Sequence, residues 1–289
     1  MTNFHNLPSS RILAGDSAHA YRDPTAIFKD GVYYLYFTLV ETEEDGGVYM
    51  YLAESRSADL VTWSEPKKLT VRDRSKNFSS PGCIVEHDGS YVICYQTYCR
   101  ENGEKYGNAN SRLYLSRSGD LETWSEPELI RVKGNTPEAD MGRMIDPYLI
   151  FDEKNGLWNC FYKQNGVSRS VSRDLINWEY CGHFGGGENV CVVRKDGKYY
   201  LFHSPANGIG LKISDDLVNW QDTGELITLG QSGWDWARGR ITAGFVLPRE
   251  DGYLMFFHGS GPEDESVHFD TNASIGIAWS RDLLHWEWR

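Results

Sequence analysis

The sequence has no apolar run long enough to cross a membrane and no linker rich in proline, glycine or serine. Basic residues are the minority, since 29 Lys and Arg stand against 41 Asp and Glu and give a formal net charge of −12. Such an acidic chain is a poor partner for nucleic acids and anionic membranes. We therefore expect one domain over residues 1–289 and no nucleic-acid or membrane partner.

Cysteine is present without a pattern, because none of the six cysteines forms Cys-x-x-Cys. Four of them, Cys83, Cys94, Cys160 and Cys191, fall in predicted strands, where a thiol behaves as a small hydrophobe. Free buried thiols in a reducing compartment are expected, not a disulfide framework or a zinc site. The first residues lack the basic and apolar regions of a signal peptide. We expect a cytoplasmic protein, or a secreted one whose signal has been removed.

What the sequence does contain is a repeated phrase, Asp-Leu-x-x-Trp. It occurs five times, at Asp59–Trp63, Asp120–Trp124, Asp174–Trp178, Asp216–Trp220 and Asp282–Trp286. Half of the ten tryptophans lie in it. A fixed phrase at unequal spacing indicates one structural unit with variable loops.

A predicted hairpin precedes each copy of the phrase. The five hairpins span residues 23–38, 80–97, 146–163, 188–204 and 242–260. Most turn at Asp-Gly or Asn-Gly between β-branched and aromatic residues. A third strand leads into the phrase and a fourth follows it. The sequence therefore predicts an all-β fold, a five-bladed β-propeller with four antiparallel strands per blade.

The two ends of the chain are expected to meet. The last repeat stops three residues after Trp286, so its fourth strand is short. Residues 10–13 read as a strand before the first hairpin. We predict that this N-terminal segment completes the fifth blade and helps to close the ring.

Carboxylates occupy the start of three of the five hairpins. The aligned positions are Asp23, Ser80, Asp146, Glu188 and Thr242. Because the first strand of a propeller blade is innermost, three acids are expected to converge at the mouth of the central channel. Asp-Pro is a common turn opener, which explains Asp23 or Asp146 alone. It does not explain Glu188, which follows three glycines.

Three convergent acids suit the cleavage of a glycosidic bond. One carboxylic acid protonates the leaving oxygen, and a second carboxylate acts opposite it. The acid must keep its proton near neutral pH, which a neighbouring carboxylate favours through like-charge repulsion. A third acid can therefore adjust the pKa of the general acid.

The segments Arg-Asp-Pro-Thr-Ala-Ile at residues 22–27, Ile-Asp-Pro at 145–147 and Glu188 before Asp196-Gly197 resemble glycoside hydrolase family 43. They are more loosely similar to families 32 and 68 of the same five-bladed superfamily. The resemblance implies that Asp23 is the general base and Glu188 the general acid. It implies that Asp146 raises the pKa of the general acid and orients it. It also implies inversion on arabinofuranosides, xylosides or galactosides. The Asn-Asp-Pro-Asn-Gly and Glu-Cys motifs usual in family 32 are absent, so inversion is favoured.

Five further residues are predicted to contact substrate. His203 and His258 end the second strands of blades four and five, Arg143 precedes Asp146, and Arg240 precedes the last inner strand. Trp236 lies in an insertion and suits sugar stacking. The structural alternative is a core position for the two histidines and a surface ion pair for the two arginines. For Trp236 it is packing over the edge of a blade. The resemblance requires no cofactor and allows a calcium ion on the channel axis.

Two other functions stay open at this point. One is a retaining or phosphorolytic relative, for which Arg22, Arg143 and Arg240 would bind phosphate. The other is a propeller that binds glycan without catalysis. The leading prediction is an inverting, exo-acting glycoside hydrolase whose partner is an oligosaccharide.

Overall fold

A computed structural model describes residues 3–261, 263 and 267–289. A short strand, β1 (Arg11–Leu13), precedes the repeats. Blade one follows with β2 (His19–Lys29), β3 (Val32–Thr42), β4 (Val48–Ser57) and β5 (Lys67–Lys68). Blade two consists of β6 (Phe78–His87), β7 (Ser90–Thr97), β8 (Leu113–Ser118) and β9 (Glu128–Leu129). Blade three consists of β10 (Ile145–Asp152), β11 (Leu157–Lys163), β12 (Val167–Ser172) and β13 (Trp178–Phe184).

Blade four continues the same order with β14 (Glu188–Lys195), β15 (Lys198–Ser204), β16 (Ile209–Ser214) and β17 (Gln221–Ile227). Blade five consists of β18 (Arg240–Arg249), β19 (Gly252–Ser260), β20 (Ser274–Ser280) and β21 (Trp286–Glu287). The helices of the described chain are three short 3₁₀ turns, Asn3–Asn6, Glu138–Asp140 and Gln231–Gly233. None of these described helices is long and apolar enough to cross a membrane. The predicted five-bladed propeller is confirmed.

Blade five joins both ends of the chain. Strand β1 pairs with β20 through Arg11 opposite Gly276, and β21 pairs with another part of β20. The Ser10 backbone N–H donates to the Arg289 carbonyl at 3.0 Å, and the Arg289 N–H donates to Ser10 Oγ at 2.7 Å. The prediction that the N-terminal segment completes this blade is confirmed.

Deleting residues 1–13 is expected to lower the melting temperature by about 5 °C or more. The deletion removes the β1 pairing and also Phe4, which is fully buried and stacks on Trp279 with ring centroids 6.4 Å apart. Thermal unfolding followed by circular dichroism measures the change. Val71→Ala, which trims a side chain that is 70 % exposed, is the control and should leave the melting temperature unchanged. An unaltered melting temperature in the deletion variant would contradict the closure.

Each repeated phrase forms the same turn, which blade one illustrates. Ser57 Oγ donates to Asp59 Oδ1 at 3.0 Å, and the Val61 and Thr62 backbone N–H groups donate to the same oxygen. The leucine of every copy is buried with φ in the left-handed region: Leu60, Leu121, Leu175, Leu217 and Leu283. The aspartate holds an otherwise costly backbone in place.

The tryptophans of the phrase wedge between neighbouring blades. Trp124 of blade two meets Tyr36 on β3 of blade one edge to face, with centroids 5.8 Å apart. The same contact recurs three times around the ring, as Trp63 with Phe256, Trp220 with Phe161 and Trp286 with Phe202. The repeated phrase is therefore the packing unit that sets one blade against the next.

Candidate active site

Every inner strand is interrupted near its start by an irregularity in the pairing with its neighbour. One residue there has positive φ in each blade: Asp23, Ser80, Asp146, Asn189 and Ala243, with φ of 47°, 47°, 53°, 51° and 54°. A bulge of this kind bends a strand and re-aims its side chains. The five bulges lie together and line the channel.

The bulges correct one sequence prediction. Asp23 and Asp146 have equivalent places, but the equivalent residue in blade four is Asn189 and not Glu188. Glu188 pairs with Ser204, as Arg22 pairs with Thr38 in blade one. Glu188 therefore lies one residue before the predicted phase, because the triple glycine gave no sign of where the bulge begins.

A ring of hydrogen bonds supports the bulges. In four places the bulge N–H donates to a side chain on the second strand of the preceding blade. The pairs are Ser80 to Thr38 Oγ1 at 2.7 Å, Asp146 to Gln96 Oε1 at 2.5 Å, Ala243 to Ser204 Oγ at 2.8 Å and Asp23 to His258 Nδ1 at 3.1 Å. The equivalent residue of blade three is Lys163, whose ammonium group only donates. Four of the five blades thus position the bulge of the next blade.

The three predicted acids line one pocket at the mouth of the channel. The pocket, with the open solvent at its mouth, has about 500 Å³ of empty space. We call it the inner pocket. Its other walls come from Arg22, Thr38, Met50, Ser79, Gln96, Tyr98, Arg143, Ile145, Asn189, Thr242, His258 and Phe269. The sequence prediction that Asp23, Asp146 and Glu188 converge agrees with this geometry.

Asp23 is held by hydrogen bonds to both carboxylate oxygens. Thr38 Oγ1 donates to Oδ2 at 3.0 Å, and Asn189 Nδ2 donates to Oδ1 at 3.4 Å. The His258 ring lies 3.5 Å from Oδ1. The Thr38 hydroxyl and the Asn189 amide fix the direction of the carboxylate.

Asp146 is the most buried of the three acids. Ser80 Oγ donates to its Oδ1 at 2.6 Å. Burial, followed by the charges of Glu188 and Asp23, raises the pKa of Asp146 to about 7. Asp146 therefore holds its proton to a much higher pH than a free aspartate does.

Glu188 is the most solvent-exposed acid, with a side chain 34 % exposed. Arg240 Nη2 donates to its Oε1 at 3.0 Å, and Arg240 Nε donates to the Ala206 carbonyl at 2.8 Å. Glu188 also lines a second cavity, the outer pocket, which Asp23 and Asp146 do not reach. The remaining walls of the outer pocket are Tyr98, Tyr106, Gly107, Arg143, Ala206, Asn207, Gly239, Arg240 and Phe269.

Two predicted arginines therefore border the site. Arg240 contacts Glu188 directly. Arg143 lines both pockets, and its Nε donates to the Gly107 carbonyl at 3.0 Å while its guanidinium lies 5.7 Å from the Tyr98 ring centroid. Both are placed to meet a ligand in the outer pocket.

The profile described as "Glycosyl hydrolases family 32 N-terminal domain" matches residues 17–192. This chain belongs to that glycosyl hydrolase family. The match runs from blade one into the first strand of blade four and includes all three acids. The absence of the usual family 32 motifs therefore does not exclude family 32. The predicted superfamily, which contains families 43 and 32, is confirmed.

Solved structures with the same fold belong to several glycosidase families. An exo-1,5-α-L-arabinanase from a bovine ruminal metagenomic library is 16 % identical, with TM-score 0.66 over 95 % of this chain and 98 % of its own. The catalytic domain of a family 62 α-L-arabinofuranosidase from Coprinopsis cinerea is 14 % identical, with TM-score 0.67 over 94 % and 98 %. A family 32 β-fructofuranosidase from Bombyx mori is 16 % identical, with TM-score 0.67 over 96 % and 63 %. No curated protein sequence matches the chain.

The two histidines of this hydrolase do not lie at matching positions. His258 pairs opposite Thr242, and the equivalent residue of blade four is Ser204, so His203 lies one residue earlier. Successive strand residues face opposite sides of a sheet. His203 Nδ1 accepts the Gly187 N–H at 3.0 Å, and burial lowers the pKa of His203 to about 4. His203 is a neutral support of the triple glycine and lines neither pocket, contrary to the prediction.

Trp236 is also not in the site. Its ring stacks on Trp234 with centroids 5.1 Å apart and on Phe257 at 5.9 Å. A Cβ added to Gly276 would lie 2.6 Å from the Trp236 ring, so the indole is wedged against blade five. The structural alternative, a cover for the blade, replaces the predicted sugar platform.

Trp236→Ala is accordingly expected to lower the melting temperature of the hydrolase by several degrees, because it removes a large packed ring. The KM for a hydrolysed glycoside should stay within about twofold, since Trp236 lines neither the inner nor the outer pocket. Thermal unfolding and steady-state kinetics on the same preparation measure both. A large rise in KM at unchanged stability would restore the stacking role.

Three aromatic residues at the pocket mouth escaped sequence reasoning. Tyr98 and Phe269 line both pockets, and Tyr106 lines the outer one. All three lie in insertions between strands, where no periodic pattern shows which side chains turn inward. Aromatic residues within long insertions were the signal available in the sequence.

A metal site is not evident in the described residues, which contain no group of three or more His, Cys, Asp or Glu able to hold an ion. Besides Asp23, Ser80, Asp146 and Asn189, the channel is lined by apolar residues that include Pro24, Gly82, Val190, Cys191 and Phe245. The apolar side chains do not fit calcium, which takes six to eight oxygen ligands. Dialysis against EDTA is expected to leave the melting temperature and activity unchanged, and a loss that calcium restores would contradict this.

Proposed function

We propose that the protein is an exo-acting glycoside hydrolase that binds a terminal sugar in the inner pocket and the leaving group in the outer pocket. The observation that carries the proposal is the place of Glu188. It is the one acid of the three that lines both pockets. A general acid must lie between glycone and leaving group, because it protonates the oxygen that joins them.

Asp23 is the proposed general base. Its side chain is 16 % exposed against 34 % for Glu188, and both of its oxygens accept hydrogen bonds. An oriented, ionised carboxylate suits the activation of a water that attacks the sugar opposite the leaving group. The reaction then inverts the anomeric centre.

Asp146 is proposed to control how protons are shared among the three acids. Near neutral pH the raised pKa of Asp146 keeps a proton on this carboxyl. A sugar filling both pockets removes water from Glu188, so the proton can redistribute towards the carboxyl that needs it. Asp146 thus acts through Glu188 and not on the sugar.

The proposed substrates are an arabinofuranoside, a xyloside or a galactoside. The arabinanase and arabinofuranosidase names among the structural neighbours favour the first of these. The family 32 match, together with the β-fructofuranosidase name of a family 32 structural neighbour, adds a fructofuranoside to the sugars worth testing.

Retention is the second candidate, and the family 32 match favours it. In that case Asp23 is the nucleophile and Glu188 serves as acid and then as base. Phosphorolysis is a further variant, for which Arg22 and Arg143 of the inner pocket and Arg240 of the outer pocket would bind phosphate.

The experiment is a panel of p-nitrophenyl glycosides, α-L-arabinofuranoside, β-D-xyloside, β-D-galactoside and α-D-galactoside, with sucrose for the fructosyl unit. For the sugar released, proton NMR identifies the first anomer formed. An anomer opposite to the substrate supports inversion, and the same anomer supports retention. Turnover that needs phosphate indicates phosphorolysis. No turnover on the panel or on arabinan, xylan or inulin oligosaccharides would contradict the proposed function.

A further inference from the structure

Residues 267–272, which precede β20 of blade five, reach across to blade two. Arg100, which follows β7 of blade two, donates from Nη1 and Nη2 to the two carboxylate oxygens of Asp270 at 2.6 and 2.9 Å. The Arg100 side chain is only 6 % exposed. A bidentate pair in so buried a place is among the stronger polar contacts in proteins.

The same residues also form hydrogen bonds with Asp16 and with Arg22 of blade one. The Asn272 N–H donates to the Asp16 carbonyl at 2.8 Å, and Arg22 Nη1 donates to the Phe269 carbonyl at 3.3 Å. Residues 267–272 are therefore tied to blades one and two as well as to their own blade. We call these residues the strap.

Phe269 is the strap residue that enters the site. The Arg22 guanidinium lies over its ring at 4.4 Å from the centroid. Tyr98 stacks on it with centroids 6.0 Å apart, and Tyr106 meets it edge-on at 4.9 Å. Phe269 lines both the inner and the outer pocket. Its ring is thus fixed where the two pockets meet, and the outer pocket also has Glu188 and Arg240 in its wall.

We infer that the strap, locked by the Arg100–Asp270 pair, closes the inner pocket over blades five, one and two, and that Phe269 is the specificity-determining residue that restricts this pocket to one unsubstituted terminal sugar. The opening that remains is the outer pocket, so a sugar chain extends from the cleaved bond past Glu188. The inference rests on the proposed function and gives exo action a physical cause. The ligand is a neutral glycan end, whose C–H faces pack against an aromatic wall.

The test compares Phe269→Ala, Arg100→Met and Asp270→Asn with Arg194→Met. The last variant removes an arginine from an exposed pair with Glu153 on the rim of blades three and four and serves as control. Each is assayed on the aryl glycoside that wild type hydrolyses and on linear arabinan, xylan and inulin. Chromatography identifies the products, and hydrogen exchange reports the backbone amides of residues 267–273.

Wild type and Arg194→Met are expected to release monosaccharide alone. Phe269→Ala should raise the KM for the aryl glycoside about tenfold, the loss of one aromatic contact, with kcat within about threefold. Phe269→Ala, Arg100→Met and Asp270→Asn should also release oligosaccharides from the polymer. Arg100→Met and Asp270→Asn should accelerate exchange in the strap, while Phe269→Ala tests the ring with the ion pair intact. Unchanged KM and products in Phe269→Ala would overturn the inference.

Failure of the proposed function is distinguishable from failure of the strap. If wild type cleaves no substrate, the proposed function fails, and calorimetry with L-arabinose, D-xylose, D-galactose and D-fructose decides the inference. Binding to Arg194→Met that weakens in Phe269→Ala supports the strap as the wall of a sugar pocket. Equal or absent binding in both variants overturns it.

Discussion

Glu188→Gln is expected to lower kcat on an oligosaccharide by at least 10³-fold, and on a p-nitrophenyl glycoside of the same sugar by about 10²-fold or less. The physical reason is the leaving group. A sugar alkoxide needs a proton as the bond breaks, whereas nitrophenolate leaves readily without one. Glutamine keeps the size of the side chain and its contact with Arg240 while removing the transferable proton.

Steady-state kinetics on the matched pair of substrates measure this difference. Asp23→Asn should lose at least 10³-fold on both substrates, because the base or nucleophile is needed whatever leaves. Glu225→Gln, an exposed position on β17 of blade four, is the control and should retain full activity. Equal losses for both substrates in Glu188→Gln would remove Glu188 from the role of acid.

Asp146→Asn is expected to stabilise the protein at pH 8 while impairing catalysis. The folded-state pKa of Asp146 is about 7, well above the ordinary value of 3.8. The folded state therefore binds more protons than the unfolded state between these values, and stability falls as pH rises through this window. The cost at pH 8 is on the order of 2–4 kcal/mol. Asparagine carries no charge and keeps an acceptor for Ser80.

Thermal unfolding of wild type and Asp146→Asn between pH 4 and pH 8 checks this expectation. The melting-temperature advantage of the variant should be several degrees at pH 8 and should vanish towards pH 4. Asp174→Asn provides a control of opposite sign. Backbone and side-chain hydrogen bonds from Asn177 hold the pKa of Asp174 below its usual value, so this variant should lose stability at pH 8. An Asp146→Asn variant no more stable than wild type at pH 8 would contradict the claim that a buried charge on Asp146 destabilises the folded protein.

Much of the ring was predictable because its packing repeats. Asp-Leu-x-x-Trp encodes a turn and a wedge in five copies, and each copy needs the same left-handed leucine and the same aspartate acceptor. The serine two residues before the aspartate, Ser57 in blade one, belongs to the same turn. It went unnoticed because serine is common at the ends of strands.

The site was predictable only in part. A proline follows Asp23 and Asp146 and marks the bulge in the sequence, whereas no proline follows Glu188. The predicted position of Glu188 relative to the bulge was wrong by one residue. A one-residue error matters in a strand, since neighbours face opposite sides. The same period explains why His203 and His258 do not match.

Loops set the limit of the sequence reasoning. Trp236 and Phe269 both lie in insertions, but only Trp236 was predicted as a sugar platform. Only long-range contacts separate them: Trp236 stacks on Trp234 and Phe257, whereas the Arg100–Asp270 pair, joining residues 170 positions apart, carries Phe269 to the pocket. No local pattern encodes such a pairing.

A crystal structure of Asp23→Asn with the shortest oligosaccharide that wild type cleaves tests the roles of the three acids. The terminal sugar should lie in the inner pocket and the next sugar in the outer pocket beside Arg240. The bridging oxygen should lie within about 3 Å of the Glu188 carboxyl. An oligosaccharide whose bridging oxygen faces Asp146, or one bound away from both pockets, would contradict the assignment of the three acids.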